Sequence, residues 1–174
     1  MCGVLGILGE ASLHSARQML LLLTHRGQDA SGLLWVHDDK YSSAKSIGNP
    51  DQIELPNVKT SLVLGSTRYP TTGRRVVSED YLTTFVGPFS DNDLALTHNG
   101  NITNMQSLSD GECDCDSQFI CERLNEYLKM HDDDLVRAIK SLDSNIDGAY
   151  SIAGIHNGSL FAYRDPRGFK PLVF

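Results

Sequence analysis

Two apolar runs near the end of the chain, residues 150–155 and 160–163, are separated by His156-Asn157-Gly158-Ser159. Asn-Gly between apolar runs signals a tight hairpin, because both residues tolerate the positive φ that the favoured two-residue turns require. A hairpin here commits part of the molecule to antiparallel sheet. Residues 3–8, 32–36, 61–65 and 94–97 read as further strands, and 171–174 as a last one. Helices sit between them. Ser12 is placed to cap a helix in which Leu13, Ala16, Leu20 and Leu23 recur at three- and four-residue steps. Residues 116–130 carry Ile120, Leu124 and Tyr127-Leu128 on one face, and 133–142 carry Leu135, Ile139 and Leu142. Asp132-Asp133-Asp134 suits the start of that last helix, where carboxylates meet the positive end of the dipole. Residues 25–32 and 49–57 read as connections, rich in Gly, Ser, Asp or Pro, while 67–93 lacks a period and is long for a connection without structure, as functional connections and those containing short strands are. Strands, then helices, then strands joined by a hairpin predict an α+β fold with mainly antiparallel sheet, not alternating βαβ units.

A chain of 174 residues fits one domain and can bury a core without staples. Its net charge of -7 argues against nucleic acid as a partner, since such binders present a basic face. The apolar run 19–23 is far too short to span a bilayer, so no membrane partner is expected. The N-terminus lacks a charged start followed by a long apolar stretch. A cytoplasmic location with four reduced cysteines is the expectation.

Cys2 is the residue with the strongest chemical implication. Methionine aminopeptidases remove Met1 when the next side chain is small. Removal would place a thiol and a free α-amine, of pKa roughly 7.7–8.0, on one residue. Such a residue is a nucleophile carrying its own base. An amide hydrolase built on it needs oxyanion donors and a substrate clamp. Asn99-Gly100 can supply a side-chain amide and a backbone N–H, although the dipeptide taken alone reads more readily as a plain turn. The Arg68 guanidinium fits an α-carboxylate, and Thr71 and Thr72 can add hydroxyls. Asp116 opens a helix and can either pair with an α-ammonium or serve as a cap. Cys113, Cys115 and Cys121 have spacing poorly suited to zinc, so no metal or other cofactor is expected. His98 and His156 read as structural or exposed, and Trp35 as core.

In order along the chain stand Cys2-Gly3, HRGQDASG at 25–32, STRYPTTG at 66–73, HNGN at 98–101, DSQ at 116–118, GAYS at 148–151 and RDPRGFKPL at 164–172. Together these resemble the class II glutamine amidotransferases, which are N-terminal nucleophile hydrolases. HRGQD and RDPxGxxPL look most like the glutaminase domain of glutamine phosphoribosylpyrophosphate amidotransferase. The resemblance implies a four-layer αββα sandwich. It implies Cys2 as nucleophile, Asn99 and Gly100 as oxyanion hole, and Arg68, Thr71, Thr72 and Asp116 as the glutamine pocket. Arg26 and Gly27 would support the nucleophile. The implied reaction is hydrolysis of glutamine to glutamate, with ammonia passed to phosphoribosylamine formation in purine synthesis. Asparagine synthetase-like or amino-sugar acceptors, and a non-catalytic glutamine-sensing subunit, are the alternatives. Pro70, Gln118 and Phe85-Val86-Gly87-Pro88 depart from the residues usual in this family. Relatives also continue beyond RDPxGxxPL into an acceptor domain, which is not recognisable here. A stand-alone form, a split subunit with a separate acceptor or synthase chain, or a fragment are the corresponding expectations, and a homo-oligomer is compatible with each.

Overall fold

The structure, a computed structural model, describes residues 1–69, 84–110 and 113–174. Strands β1 (Gly3–Ser12), β2 (Ala30–His37), β3 (Lys40–Ile47) and β4 (Lys59–Arg68) form one sheet in the order β1-β4-β2-β3. Strands β5 (Phe89–Asp91), β6 (Leu94–Ile102), β7 (Gly148–His156) and β8 (Ser159–Arg164) form a second, in the order β5-β6-β7-β8. Every pairing is antiparallel. The β7–β8 hairpin is the one expected from Asn157-Gly158, whose φ angles are 46° and 68°.

The side-chain period of two sorts each strand's residues between layers. In β2, Leu33 and Trp35 meet helix α1 (Leu13–Leu21), while Leu34 faces the other sheet. In β4, Val63 joins the α1 layer, whereas Leu62 and Leu64 point between the sheets. The second sheet repeats the scheme. Ala95, Ala153 and Ile155 fill the space between sheets, while Leu94, Leu96, Tyr150 and Ile152 meet helices α3 (Asp116–Met130) and α4 (Leu135–Asn145). The result is the expected four-layer arrangement: α1, two sheets face to face, then α3 with α4. Because both faces of the central strands are covered, they read as continuous apolar runs without strict alternation.

Local signals set the helix starts. Ser12 Oγ accepts from the Ser15 amide at 3.1 Å, which caps α1 as expected. Asp134 caps α4 by accepting from the Arg137 amide at 3.1 Å. Its neighbour Asp133 instead turns toward the β7–β8 hairpin and lies 3.1 Å from His156 Nε2. His156 and Trp35 are buried, structural residues.

Several expectations need correction. The segment 25–32 is not loop throughout, because β2 begins at Ala30. β3 was not anticipated, since its serines and lysines lack apolar alternation; pairing with β2 from Ala30↔Ile47 to His37↔Lys40 defines it. Helix α1 ends at Leu21, so Leu23 falls outside it. A short helix α2 (Met105–Leu108) had no period long enough to read. Within 67–93, β4 continues to Arg68, and β5 at Phe89–Asp91 is a short strand of the kind so long a connection can contain. Residues 171–174 form no strand: they follow the turn at Gly168, and Val173 and Phe174 are exposed. His98-Asn99-Gly100-Asn101 is no turn but the second half of β6.

Leu64 is 0% exposed between the sheets, whereas Leu22 is 76% exposed just beyond α1. Leu64→Ala is expected to lower the unfolding free energy by about 2–5 kcal/mol, and Leu22→Ala by no more than about 0.5. Urea denaturation monitored by circular dichroism checks this, and equal effects at the two positions would contradict the layer assignment.

Candidate functional site

The first residues of the chain are tied down at three points. The Cys2 backbone N–H donates to Asn99 Oδ1 at 3.1 Å. The Gly3 N–H donates to Thr67 Oγ1 at 3.0 Å, and the Thr67 hydroxyl donates in turn to the Leu23 carbonyl. Arg26 Nε donates to the Cys2 carbonyl at 3.2 Å. Residue 2, which precedes β1 of the first sheet, thus meets residue 99 of the second. Glycine is required at two positions here. A Cβ on Gly3 would lie 2.5 Å from Thr67 Oγ1, and one on Gly27 would lie 2.5 Å from the Arg68 carbonyl carbon. The Asp29 amide donates to the Arg68 carbonyl at 3.1 Å. Segment 26–29, carrying the brace on Cys2, is therefore pressed against the backbone of Arg68.

Asn99 is buried, and its side chain points into the space between sheets, toward β1. Accepting from Cys2 N–H identifies Oδ1 as the oxygen and turns Nδ2 away from the Cys2 nitrogen. The backbone of Gly100 is oriented by the sheet. Gly100 stands opposite Tyr150 in β7. The Tyr150 N–H donates to Asp165 Oδ2 at 3.2 Å, and the Tyr150 carbonyl accepts from the Asp165 amide at 2.9 Å. In a strand the N–H and C=O of one residue point to the same side. Tyr150 spends both toward β8, so Gly100 and Tyr150 form a non-hydrogen-bonded pair. Their close approach agrees: a Cβ on Gly100 would lie 2.7 Å from Tyr150 Cα and 2.3 Å from the Ala149 carbonyl oxygen. The Gly100 N–H consequently points to the opposite edge of β6. On that edge β5 pairs only with Leu94 to Leu96, so among the described residues no strand covers Gly100. An outward N–H on an uncovered edge, one residue from a fixed side-chain amide, makes a two-donor arrangement.

A second cluster lies at the start of α3. Arg68 Nη1 donates to the Phe85 carbonyl at 2.6 Å, and its guanidinium sits 5.5 Å from the Phe85 ring centroid. Phe85 lines a cleft of about 420 Å³ shared with Asn101, Met105, Gln106, Asp114 and Asp116. Asp116 is the first residue of α3, where the N-terminal dipole favours negative charge; the cap position itself is Cys115. His98 Nδ1 lies 3.0 Å from Ser117 Oγ and 3.9 Å from Asp116 Oδ1. Burial pushes the His98 pKa down, against a smaller upward pull from Asp116.

The expected residues therefore fall into two groups. Cys2, Asn99, Arg26 and Gly27 converge at the chain start, with Arg68 linked to them through Gly27. Asp116 lines the neighbouring cleft, and Phe85 joins Arg68 to it. Cys2, Asn99 and Arg68 themselves are not among the described residues that line the cleft. Thr71 and Thr72 lie outside the described residues. Thr67, Phe85, Ser117 and Asp165 were missed as individuals, although Thr67, Ser117 and Asp165 all stand inside motifs. The remaining cysteines belong elsewhere. Burial raises the thiol pKa of Cys113, and pushes Cys115 up to about 11 and Cys121 up to about 12. Among the described residues no group of three or more His, Cys, Asp or Glu is placed to hold a metal ion.

No family model matches the chain. Whole-length relatives are found nonetheless. The amidophosphoribosyltransferase of Pasteurella multocida is 32% identical over 195 residues, covering 99% of this chain and 38% of its own length. Those of Methanocaldococcus jannaschii and Archaeoglobus fulgidus are 33% and 31% identical, each over 99% of this chain, and are covered to 39% and 40%. Among solved structures, the B. subtilis glutamine phosphoribosylpyrophosphate amidotransferase complexed with ADP and GMP superposes with a TM-score of 0.76 at 26% identity. That match covers 98% of this chain and 38% of the other. The chain thus spans about two fifths of the length of the relatives it matches. In sequence and in fold it is a homologue of the amidophosphoribosyltransferases.

Proposed function

We propose that these residues form a glutaminase centre that hydrolyses the side-chain amide of glutamine and supplies ammonia to an acceptor reaction. Removal of Met1 frees the α-amine of Cys2, which takes the thiol proton directly or through water. The thiolate sulfur attacks the amide carbon, and the C=O electron pair moves onto oxygen. Asn99 Nδ2 and the Gly100 N–H donate to that oxyanion. Collapse expels ammonia, with the proton returned by the amine, and leaves a γ-glutamyl thioester. Water then cleaves the thioester to glutamate and restores the thiol. Arg68 holds the substrate α-carboxylate, with Thr71 and Thr72 alongside. Asp116 pairs with the α-ammonium. Arg26 and Gly27 keep the Cys2 segment in place.

The observation that carries this reading is the meeting of Cys2 and Asn99 across the two sheets, at 3.1 Å, beside a Gly100 N–H that no strand among the described residues covers. A sensing subunit would have no use for oxyanion donors beside a braced N-terminal cysteine. The matched relatives carry the name amidophosphoribosyltransferase, which favours phosphoribosylamine formation in purine synthesis as the acceptor reaction over other acceptors. That reaction would be carried by polypeptide beyond these residues, joined or separate, and a cytoplasmic setting suits it. No helix among the described residues is long and apolar enough to cross a membrane.

Intact-mass measurement is expected to show loss of Met1 in active protein. Cys2→Ala should lower glutamate release by about 10⁴-fold or more, and substantial residual glutaminase activity in that variant would refute the assignment. Asn99→Ala should lower kcat by about 10²–10³-fold with a smaller change in KM, as expected for a donor used mainly in the transition state. In peptide mapping after brief iodoacetamide treatment at neutral pH, Cys2 should be alkylated well ahead of Cys115 and Cys121, whose burial disfavours the thiolate.

A further inference from the structure

Adjacent residues of β6 face opposite layers. Asn99 points between the sheets to Cys2, so His98 points to the helix layer, where it meets Ser117 of α3. This geometry removes His98 from the proton traffic at Cys2. It also leaves a buried imidazole, 4% exposed, with one nitrogen bonded and the other, Nε2, without a hydrogen-bond partner among the described residues. Nε2 rests on Gly100, where a Cβ would come within 2.8 Å of it. An Nε2–H would strand a donor against that backbone. With the hydrogen on Nδ1, it is donated to Ser117 Oγ and only a lone pair is left unpaired, the cheaper arrangement.

The groups around the ring keep it neutral. Burial lowers the His98 pKa most, Asp116 on α3 opposes this, and Lys170 in the C-terminal segment adds to the lowering. From β7 the opposite residue is apolar Ile152. A neutral Nδ1–H thus aims its positive end at the first turn of α3, with Asp116 Oδ1 3.9 Å away.

We propose that His98 is the positioning residue of the α-ammonium subsite: through Nδ1–H to Ser117 it fixes the first turn of α3 against β6 and sets where Asp116 presents its carboxylate. The inference rests on the glutamine-binding reading of Asp116 given above. In consequence β6 serves both ends of the substrate, since Asn99 and Gly100 address the amide while His98 governs the site for the amino group.

The test compares glutamine with glutaramate, which has the same amide and carboxylate but no α-ammonium. Dissociation constants are measured in the Cys2→Ala background, so that no turnover is needed. His98→Leu and Ser117→Ala should each weaken glutamine about tenfold while changing glutaramate by less than about twofold. His98→Asn, whose amide nitrogen can occupy the Nδ1 position, should restore glutamine binding, and His98→Gln, which reaches only toward Nε2, should not. Equal losses for both ligands, or no loss with either substitution, would overturn the proposal. Because Ser117 is less buried than His98, its variant keeps the test valid if His98→Leu does not fold. Failure of the glutaminase reading would show separately, as glutamate release that survives Cys2→Ala.

Discussion

The face-to-face packing of the two sheets is the constraint on which the site depends. Sheets approach to about 10 Å only when the facing side chains interdigitate. Here leucines of β2 and β4 meet Ala95 and Ala153, and Gly6 of β1 faces Leu160, where a Cβ would already be 3.1 Å from Cδ1. Small residues opposite large ones let the two sheets pack closely. Only then can Cys2, just ahead of β1 in one sheet, reach Asn99, in the other. The bonds of Gly3 to Thr67 and of Arg26 to the Cys2 carbonyl fix direction, but the separation is set by the apolar layer.

A chain terminus would ordinarily fray. This one is held because β1 is paired with β4 from Gly3↔Thr67 to Leu8↔Leu62 and again from Ala11↔Thr60 to Ser12↔Lys59, and because its first amides find side-chain acceptors on other elements. Each of those bonds is worth about 1 kcal/mol net, so none alone holds the residue; the paired strand behind them does. The same economy governs the far side. Asp165 occupies both backbone groups of Tyr150, and the Gly100 N–H is left pointing outward as a by-product of ladder alternation.

Much of this was legible in the sequence, in proportion to how local each signal is. The Asn157-Gly158 hairpin, the Ser12 cap and the span of α3 follow from short-range chemistry and match the structure. The four layers and the family were legible through motif order. Ladder partnership, by contrast, is not local. β3 has a polar sequence and exists because β2 offers it a register. HNGN reads as a turn in isolation, and becomes strand because β7 runs beside it from Leu94↔His156 to Ile102↔Gly148. Cys2, Asn99 and Asp116 could be nominated from residue type, but Thr67 and Ser117 could not be distinguished from other hydroxyls until their partners were known. His98 reads from the sequence as structural or exposed, and only the helix packed over its strand decides for the buried, structural role.

The alternation of β6 has a further implication for how such a chain can vary. Its two faces carry different chemistry at successive positions, so side-chain identity and phase along the strand are inseparable. Insertion or loss of one residue between Leu94 and His98 would send the amide into the helix layer and the imidazole between the sheets, exchanging their surroundings while leaving composition almost untouched. Lineages can therefore lengthen the hairpin tips freely, yet within this strand they are confined to changes that preserve odd and even.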